Sequence, residues 1–250
     1  MNEWISTGIG SSDADSITLM GRDLAGELMG RLTFTELAFL LVRGREPSPE
    51  ETRLLDAVLV SLADHGLTPT VLAARLTYTG APESIQGAIA AGLLGGGSVF
   101  LGVVEDTARF VATILESDGD ADRAVAELLA AGKRVPGLGH PIHKVEDPRT
   151  PRIYSIAEES GLVGDQLRTL RLVSEAHARQ TGRPLPINGA GVAGAALADL
   201  GFPPALLRGV ALLARTAGLL GHLAEEMEQP LGMELYREVG RRALYEPPEP

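Results

Sequence analysis

Residues 131–152 read AGKRVPGLGHPIHKVEDPRTPR, and the prediction of both fold and function begins from this segment. Five basic residues outnumber two acidic ones here, a local charge of +3 within a 250-residue chain whose net charge is −11. A positive field in an acidic protein favours an anionic ligand at that place. Gly137 and Gly139 let the backbone approach such a ligand closely. His140 and His143 follow, and either imidazole is able to transfer a proton near neutral pH.

The residues alone leave two other interpretations of this segment open. A basic loop is often only a solvated surface without a ligand. His140, His143 and Asp147 also have side chains that bind metal ions, but Pro141 interrupts a regular helix and the sequence offers no evident third ligand. We therefore predict no metal at this segment.

Composition excludes several classes of protein. Aromatic residues make up only 4% and the charge is acidic, which argues against a nucleic-acid partner. The chain has no cysteine, so it has no disulfide, thiolate metal site or cysteine nucleophile. MNEWISTGIG at residues 1–10 lacks the basic start of an export signal. The apolar stretch 204–224 is interrupted by Arg208, Arg215 and His222, so we expect no membrane span and a cytoplasmic protein.

Helix signals dominate the rest of the chain, and the predicted fold class is all-α. Thr33-Phe-Thr-Glu36 and Ser48-Pro-Glu-Glu51 read as capping boxes, and Thr68-Pro69 as a cap followed by a first helical residue. Runs of alternating β-branched residues are nearly absent, so no sheet is placed. Further helices are predicted near 83–94, 104–116, 120–131, 150–160, 165–179, 190–200, 204–226 and 232–243.

We predict that residues 1–250 form a single domain because no linker forces a division. A smaller helical subdomain within about residues 100–180 is compatible with the pattern. The tail Glu246-Pro-Pro-Glu-Pro250 is predicted to be non-helical because of its prolines.

Four motifs in a fixed order carry a family resemblance. Pro136-Gly-Leu-Gly-His140 followed by Asp147-Pro-Arg149 resembles the Gly-x-Gly-His…Asp-Pro-Arg signature of the citrate synthase family. The short chain and its Asp-His-Gly and Gly-His-Leu details are most similar to citryl-CoA lyases, both stand-alone and as the lyase module of ATP-citrate lyase. The remaining motifs extend the resemblance over about residues 15–245: Gly21-Arg-Asp-Leu24 with Phe34–Leu41 and Gly44-Arg-Glu-Pro47, Ala63-Asp-His65-Gly66, and Ala214-Arg215 through His222.

The resemblance implies a shortened citrate synthase-like helical fold, with a large helical domain and a smaller helical subdomain, and it implies roles for the motif residues. The histidine matching His65 hydrogen-bonds the substrate oxygen at the carbon that is bonded or cleaved. The one matching His140 polarises that oxygen or takes its proton during cleavage. The arginines matching Arg149 and Arg215 hold carboxylates, a task that suits the planar guanidinium fork. The loop matching Val135, Pro136, Gly137, Leu138 and Gly139 lies along coenzyme A.

Two positions depart from the family's pattern. The synthases have a histidine before a Gly-Gly turn, and this chain has Phe100 there, as does the lyase module of ATP-citrate lyase. The family's aspartate lies in an Asn-Val-Asp-Gly pattern, but this chain reads Asn188-Gly-Ala190-Gly191, and Ala190 cannot transfer a proton. Asn188 and the helix N-terminal amides after Gly191 are expected to bind the thioester oxygen instead.

The resemblance therefore implies a citryl-CoA lyase-like enzyme. It would cleave citryl-CoA, or a related 3-hydroxy-3-carboxylic acyl-CoA, to acetyl-CoA or another short acyl-CoA and oxaloacetate or another 2-oxo acid. The alternatives are a citrate or methylcitrate synthase and a non-catalytic CoA-binding pseudoenzyme. Family members are dimers, so a homodimer or higher homo-oligomer is expected.

Overall fold

The computed structural model describes residues 5–249, and residues 1–4 and 250 lie outside it, including the start of the segment used for the export-signal prediction and the last residue of the Pro-rich tail. Helices make up most of the described chain, which confirms the predicted fold class. The helices are α1 (Phe34–Arg43), α2 (Pro49–Ala63), α3 (Pro69–Gly80), α4 (Ile85–Leu94), α5 (Gly102–Glu116), α6 (Ala121–Ala130), α7 (Arg149–Glu159), α8 (Asp165–Thr181), α9 (Gly189–Asp199), α10 (Leu207–Glu228) and α11 (Gly232–Arg242).

The local signals read from the sequence place the helix starts correctly. Thr33 and Ser48 each accept a hydrogen bond from the backbone three residues on, and Glu36 and Glu51 complete both capping boxes. Pro69 occupies the first position of α3, where its missing N–H is no loss. The predicted helix bounds differ from the observed ones by at most three residues.

A small antiparallel sheet near the N-terminus was not predicted. Its strands are β1 (Gly10–Ser12), β2 (Ile17–Leu19) and β3 (Arg22–Asp23), in the order β1-β2-β3, with Gly10 opposite Leu19. A single π-helical turn, Leu24–Leu28, follows directly. Strands of two or three residues are too short to show a period-two pattern, which explains why sequence periodicity missed them.

Helix α9 lies at the centre of the main core. Eight of its 11 residues are buried, and most of the helix is glycine or alanine. Small residues let neighbouring backbones come very close: a Cβ at Gly194 would collide with the carbonyl of Val104 on α5, and one at Gly191 would lie 2.6 Å from the Cα of Gly137. The second contact holds the 135–139 loop directly on the start of α9.

A second, smaller core lies in the segment for which a subdomain was predicted. It is formed where α5, α6 and α8 meet. Val135 is the first residue of the 135–139 loop, which we call the Gly/Pro loop. Its side chain is buried in this second core, so the core holds the start of the loop in place. Its buried members are Ile114, Ala121, Val125, Val135, Val173 and Ala176.

Helix α10 packs against α2, α3, α4, α5 and α9. Together with the short 3-10 turn before it, the segment Pro204–Glu228 is long and apolar enough to cross a membrane by length and composition alone. In the structure its buried face, which includes Leu219 and Leu223, belongs to the helical core.

Candidate active site

His65 lies just after the end of α2. Asp64 leaves the helical conformation, and Gly66 has a φ of +71°, which favours glycine and turns the chain away. Gly218 of α10 packs against the carbonyl of Ala63, where any side chain would collide. The close α2–α10 contact therefore fixes the position of the His65 backbone.

A chain of polar contacts anchors the residue before His65. The Nε2 of His222 lies 2.8 Å from Asp64, and its Nδ1 lies 3.0 Å from Nη2 of Arg75. A guanidinium only donates, so Nδ1 of His222 accepts and its Nε2–H donates to the Asp64 carboxylate. Arg75 is itself buried and pairs with Glu226 at 2.9 Å. His222 is thus a structural link between α3, α10 and the His65 turn.

Three imidazoles come together at the centre of the site. The ring centroids of His65 and His140 are 5.2 Å apart, and those of His65 and His143 are 6.2 Å apart. His140 and His143 are stacked, with centroids 4.5 Å apart and planes inclined by 27°. The structure therefore joins the two histidines predicted to be catalytic with His143, which the sequence indicated as a further group able to transfer a proton.

The protonation pattern of His140 follows from its backbone contacts. The N–H groups of Ile142 and His143 both donate to Nδ1 of His140, at 3.2 and 3.0 Å. Burial lowers the pKa of His140, against the opposing attraction of Asp147. The imidazole is therefore neutral near pH 7, with its proton on Nε2. In this form His140 donates a hydrogen bond through Nε2 but has no free lone pair there to accept a proton.

Arg149 is held rigidly by Asp147. The Arg149 Nε and Nη2 atoms donate to Asp147 at 2.9 and 2.7 Å, and Nη1 donates to the carbonyl of Ser61 at 3.3 Å. Asp147 is fully buried and also accepts from the N–H of Gly189 at 2.8 Å. Burial alone would raise the pKa of Asp147, but these hydrogen bonds outweigh it and hold the pKa well below its usual range. Arg149 thus has part of its fork occupied and presents its remaining Nη hydrogens.

Arg215, unlike Arg149, is not held by a carboxylate in the described part of the chain. Its side chain lies in the middle of α10 and is only 6% exposed. The Nε and Nη1 atoms are buried and make no hydrogen bond to the described part of the chain. Burial lowers the pKa of Arg215. The charge of Asp64 raises this pKa and the charge of Arg149 lowers it, so both groups lie within electrostatic reach of Arg215. A buried guanidinium with unused donors is a site prepared for an anion.

The Gly/Pro loop is joined to the start of α9 by backbone contacts. Gly139 N–H donates to the carbonyl of Pro186, and Asn188 N–H donates to the carbonyl of Gly137. The Asn188 side chain is also engaged, since Nδ2 donates to the Gly139 carbonyl at 2.9 Å and Oδ1 accepts from Gly191 at 2.8 Å. Asn188 therefore holds the loop, and one hydrogen on its Nδ2 makes no hydrogen bond within residues 5–249.

The amides at the start of α9 are mostly occupied. Gly189, Gly191 and Val192 donate to Asp147, Asn188 Oδ1 and the Asn188 carbonyl. The expectation that amides after Gly191 bind the thioester oxygen is therefore wrong for Val192. In the described residues, the N–H of Ala190 is the first-turn donor without a hydrogen bond, at the position where the family has its aspartate.

A cavity of about 800 Å³ opens beside the loop and reaches two of the imidazoles. Of the five loop residues that the resemblance assigned to coenzyme A, Val135, Leu138 and Gly139 line this cavity, whereas Pro136 and Gly137 lie outside its lining. Basic side chains surround it, and Lys133, Arg134 and Arg183 form no ion pair within residues 5–249. The cavity therefore combines an apolar wall with free positive charge. Its other lining residues include His140, His143, Lys144 and His177.

The three imidazoles also meet the spacing of a metal site, with one nitrogen of each lying within 4.8 Å of the others. The two backbone donors on Nδ1 of His140 argue against this use. They leave the proton on Nε2, so His140 has no free lone pair to offer a metal ion without turning its ring. The arrangement suits hydrogen bonding and proton transfer better than metal binding.

Comparison with known proteins identifies the family. The family model "Citrate synthase, C-terminal domain" matches residues 13–238. The chain belongs to the citrate synthase family. The citryl-CoA lyase from Hydrogenobacter thermophilus is 32% identical, with a TM-score of 0.91 over 100% of this chain and 96% of that one. Citrate synthase from Haloferax volcanii is 25% identical over 191 residues, 75% of this chain and 50% of that protein.

The same helical fold occurs in a larger enzyme. ATP citrate lyase from Methanothrix soehngenii, solved in complex with citrate and coenzyme A, superposes with a TM-score of 0.83 at 24% identity, over 100% of this chain and 42% of that one. The chain spans about half the length of the curated citrate synthase relatives it matches.

Sequence analysis missed or left without a role several residues of this citrate synthase-like site. Asp147 was part of the motif, but only the structure shows that it anchors Arg149. Asp64 precedes the predicted His65, and Arg183 lies far along the chain from the loop that it faces. The Asp-Pro-Arg spacing was a usable signal for Asp147, because a carboxylate two residues before an arginine is able to pair with it.

Proposed function

We propose that this protein cleaves citryl-CoA, or a closely related 3-hydroxy-3-carboxylic acyl-CoA, to acetyl-CoA or another short acyl-CoA and oxaloacetate or another 2-oxo acid. The observation that carries the proposal is the buried Arg215 guanidinium, whose Nε and Nη1 have no hydrogen-bond partner within residues 5–249 and which lies within electrostatic reach of Arg149. A substrate with carboxylates supplies the missing acceptors. The three imidazoles then face the oxygen on the substrate carbon to which these carboxylates are attached.

The roles of the side chains follow from their hydrogen-bonding capacity. Arg215 and the free Nη hydrogens of Arg149 bind the carboxylates. His140, neutral and protonated on Nε2, donates to the substrate oxygen, and His65 orients the same oxygen from the other ring. This revises the expected role of His140, because the tautomer that its backbone contacts impose favours donation over removal of the hydroxyl proton.

The cavity beside the loop accommodates coenzyme A in this proposal. Its volume of about 800 Å³ lies in the usual range for cofactor sites. Lys133, Arg134 and Arg183 bind the phosphate groups of coenzyme A. The apolar wall formed by Leu138 and Leu185 contacts the rest of the coenzyme A molecule. Because the cavity extends to His140 and His143, the thioester end reaches the imidazoles.

Two features favour cleavage of this substrate over citrate synthesis. The Hydrogenobacter citryl-CoA lyase matches this chain over nearly its whole length. Phe100 replaces the histidine that the resemblance assigns to enol stabilisation in synthases. Ala190 replaces the carboxylate that would remove a proton from acetyl-CoA in synthesis and return one to the enolate in cleavage, so it weighs against both directions. A citrate or methylcitrate synthase therefore stays the second candidate, and Ala190 also favours a non-catalytic CoA-binding protein over that synthase.

One assay separates these candidates. Citryl-CoA is supplied to the purified protein, and oxaloacetate release is followed by coupled NADH oxidation. Steady turnover of citryl-CoA supports the lyase. If the protein instead releases free CoA from acetyl-CoA plus oxaloacetate faster than it cleaves citryl-CoA, the result supports a synthase. Calorimetric binding of CoA without turnover of citryl-CoA, citramalyl-CoA or related thioesters overturns the enzymatic proposal and leaves the binding protein.

A homodimer is proposed from the exposed face of α10. Leu213, Leu220 and Met227 recur every seven residues along that helix and stay between 36% and 53% exposed, continuing the line of Leu206. An apolar stripe of this kind on a helix is typical of a surface that pairs with another helix.

The stripe gives a direct prediction. Leu220→Glu places a charge in the middle of the proposed interface and is expected to convert a dimer of about twice 26.3 kDa into a monomer in light scattering. Glu228→Gln, at the end of the same helix, is the control and should leave the mass unchanged. A wild-type monomer at micromolar concentration would contradict the proposal.

A further inference from the structure

The cleavage proposed above needs a group that accepts the hydroxyl proton of the substrate, and the structure makes His140 a poor candidate. Its Nδ1 already accepts from two backbone N–H groups, and its Nε2 carries the proton. To remove a proton, His140 would first have to lose its own. Ala190 has no acidic group to offer.

We propose that His143 is the proton acceptor of this site, a role that rests on the proposed cleavage reaction. The His143 ring is stacked on that of His140, with centroids 4.5 Å apart. One nitrogen of His143 lies within 4.8 Å of a nitrogen of each other histidine. A substrate oxygen bound among the three rings is therefore within range of His143.

The surroundings of His143 leave its ring free for this task. Its side chain makes no hydrogen bond or ion pair to any residue between 5 and 249, in contrast to the engaged Nδ1 of His140. The ring is half-buried and lines the 800 Å³ cavity together with His140, whereas His65 is outside that lining. A thioester that enters through the cavity thus meets His143 and His140 first.

The cleavage balances with His143 in this role. The hydroxyl proton moves to an imidazole nitrogen of His143 as the carbon–oxygen bond becomes the ketone of the 2-oxo acid. The electron pair of the broken carbon–carbon bond moves into the thioester and forms its enolate. Water then protonates the enolate carbon, and the hydroxide left behind removes the proton from the His143 imidazolium. Water thus donates the proton to the enolate carbon, a role that Ala190 cannot fill.

The test uses the full chain with citryl-CoA as the probe substrate. His143→Gln is expected to lower kcat about 10²- to 10⁴-fold, the usual contribution of a general base, with KM changed less than about threefold. His143→Gly is expected to lose as much and to regain at least about tenfold when free imidazole is added, because imidazole occupies the space left by the ring. Val145→Ala, on an exposed side chain of the same segment, is the control and should show neither effect.

Two results would overturn the assignment. One is a His143→Gln variant that keeps kcat within about threefold of the wild type. The other is a loss of kcat that imidazole fails to rescue in His143→Gly while calorimetric CoA binding is retained, which would mean a positioning role. If the wild-type protein shows no turnover, the lyase proposal is refuted and the His143 assignment with it. If the wild type and His143→Gln are both active, only the His143 assignment is refuted.

Discussion

Replacing Arg215 with methionine is expected to lower kcat/KM for citryl-CoA about 10²- to 10⁴-fold and, at the same time, to make the unliganded protein more stable. The activity falls because removing one partner of a buried charge pair costs about 3–5 kcal/mol, and about 1.4 kcal/mol corresponds to a factor of ten. The stability rises because Arg215 is 6% exposed and its buried Nε and Nη1 donors have no acceptor in the described part of the chain. Methionine fills a similar volume without a charge to desolvate.

The two effects are measured separately, by steady-state kinetics and by thermal or urea unfolding without ligand. Arg215→Lys is the matched variant, since it keeps the charge but loses the planar fork, and it should lose activity without gaining stability. Citrate should raise the Tm of the wild type and leave that of Arg215→Met nearly unchanged. A lower unliganded stability of Arg215→Met would show that Arg215 holds the fold together and would remove the main support for the anion site.

Asp147→Asn is expected to lower the free energy of unfolding by about 3–5 kcal/mol at pH 7 and to reduce activity more than 100-fold, the range that breaking a buried charged pair covers. Asp147 is fully buried and accepts from both the side chain and the backbone N–H of Arg149 and from Gly189. Asparagine is neutral and its nitrogen cannot accept, so Arg149 is left with an uncompensated charge. The arginine then loses its fixed orientation at the site.

The pH dependence of stability provides a second measurement of Asp147. Its pKa in the folded protein is depressed, so its contribution is fully present above the unfolded pKa of about 3.9 and is lost as the pH falls toward the folded pKa. The stability difference between wild type and Asp147→Asn should therefore be constant near neutral pH and shrink below about pH 4. Urea unfolding across this range tests it.

Glu146→Gln is the control for the Asp147 variant because Glu146 is the exposed neighbour in the same segment. It should change the free energy of unfolding by less than about 0.5 kcal/mol at every pH. An Asp147→Asn variant as stable as Glu146→Gln would show that the Asp147–Arg149 pair contributes no net stability, as happens for some buried ion pairs.

The sequence by itself determined the helices and the order of the motifs. Capping boxes at Thr33 and Ser48 and the prolines at helix starts act within one turn, so their effect is visible in a short window of sequence. The motif around His140 and Arg149 was sufficient for the family because its residues are close in the chain. The small sheet at residues 10–23 escaped prediction because its strands are too short to have a period.

Only the tertiary structure decided which side chains are free and which are engaged. His65, His140 and Arg215 are separated by up to 150 positions along the chain, and their meeting depends on glycine contacts such as Gly218 against Ala63. The state of each group then follows from its neighbours in space. Backbone donors set the tautomer of His140, and Asp147 accepts from Arg149, whereas Nε and Nη1 of Arg215 find no acceptor between residues 5 and 249. A sequence specifies which groups can ionise or donate, but burial and hydrogen-bond partners, which determine what they do, exist only once distant segments are packed together.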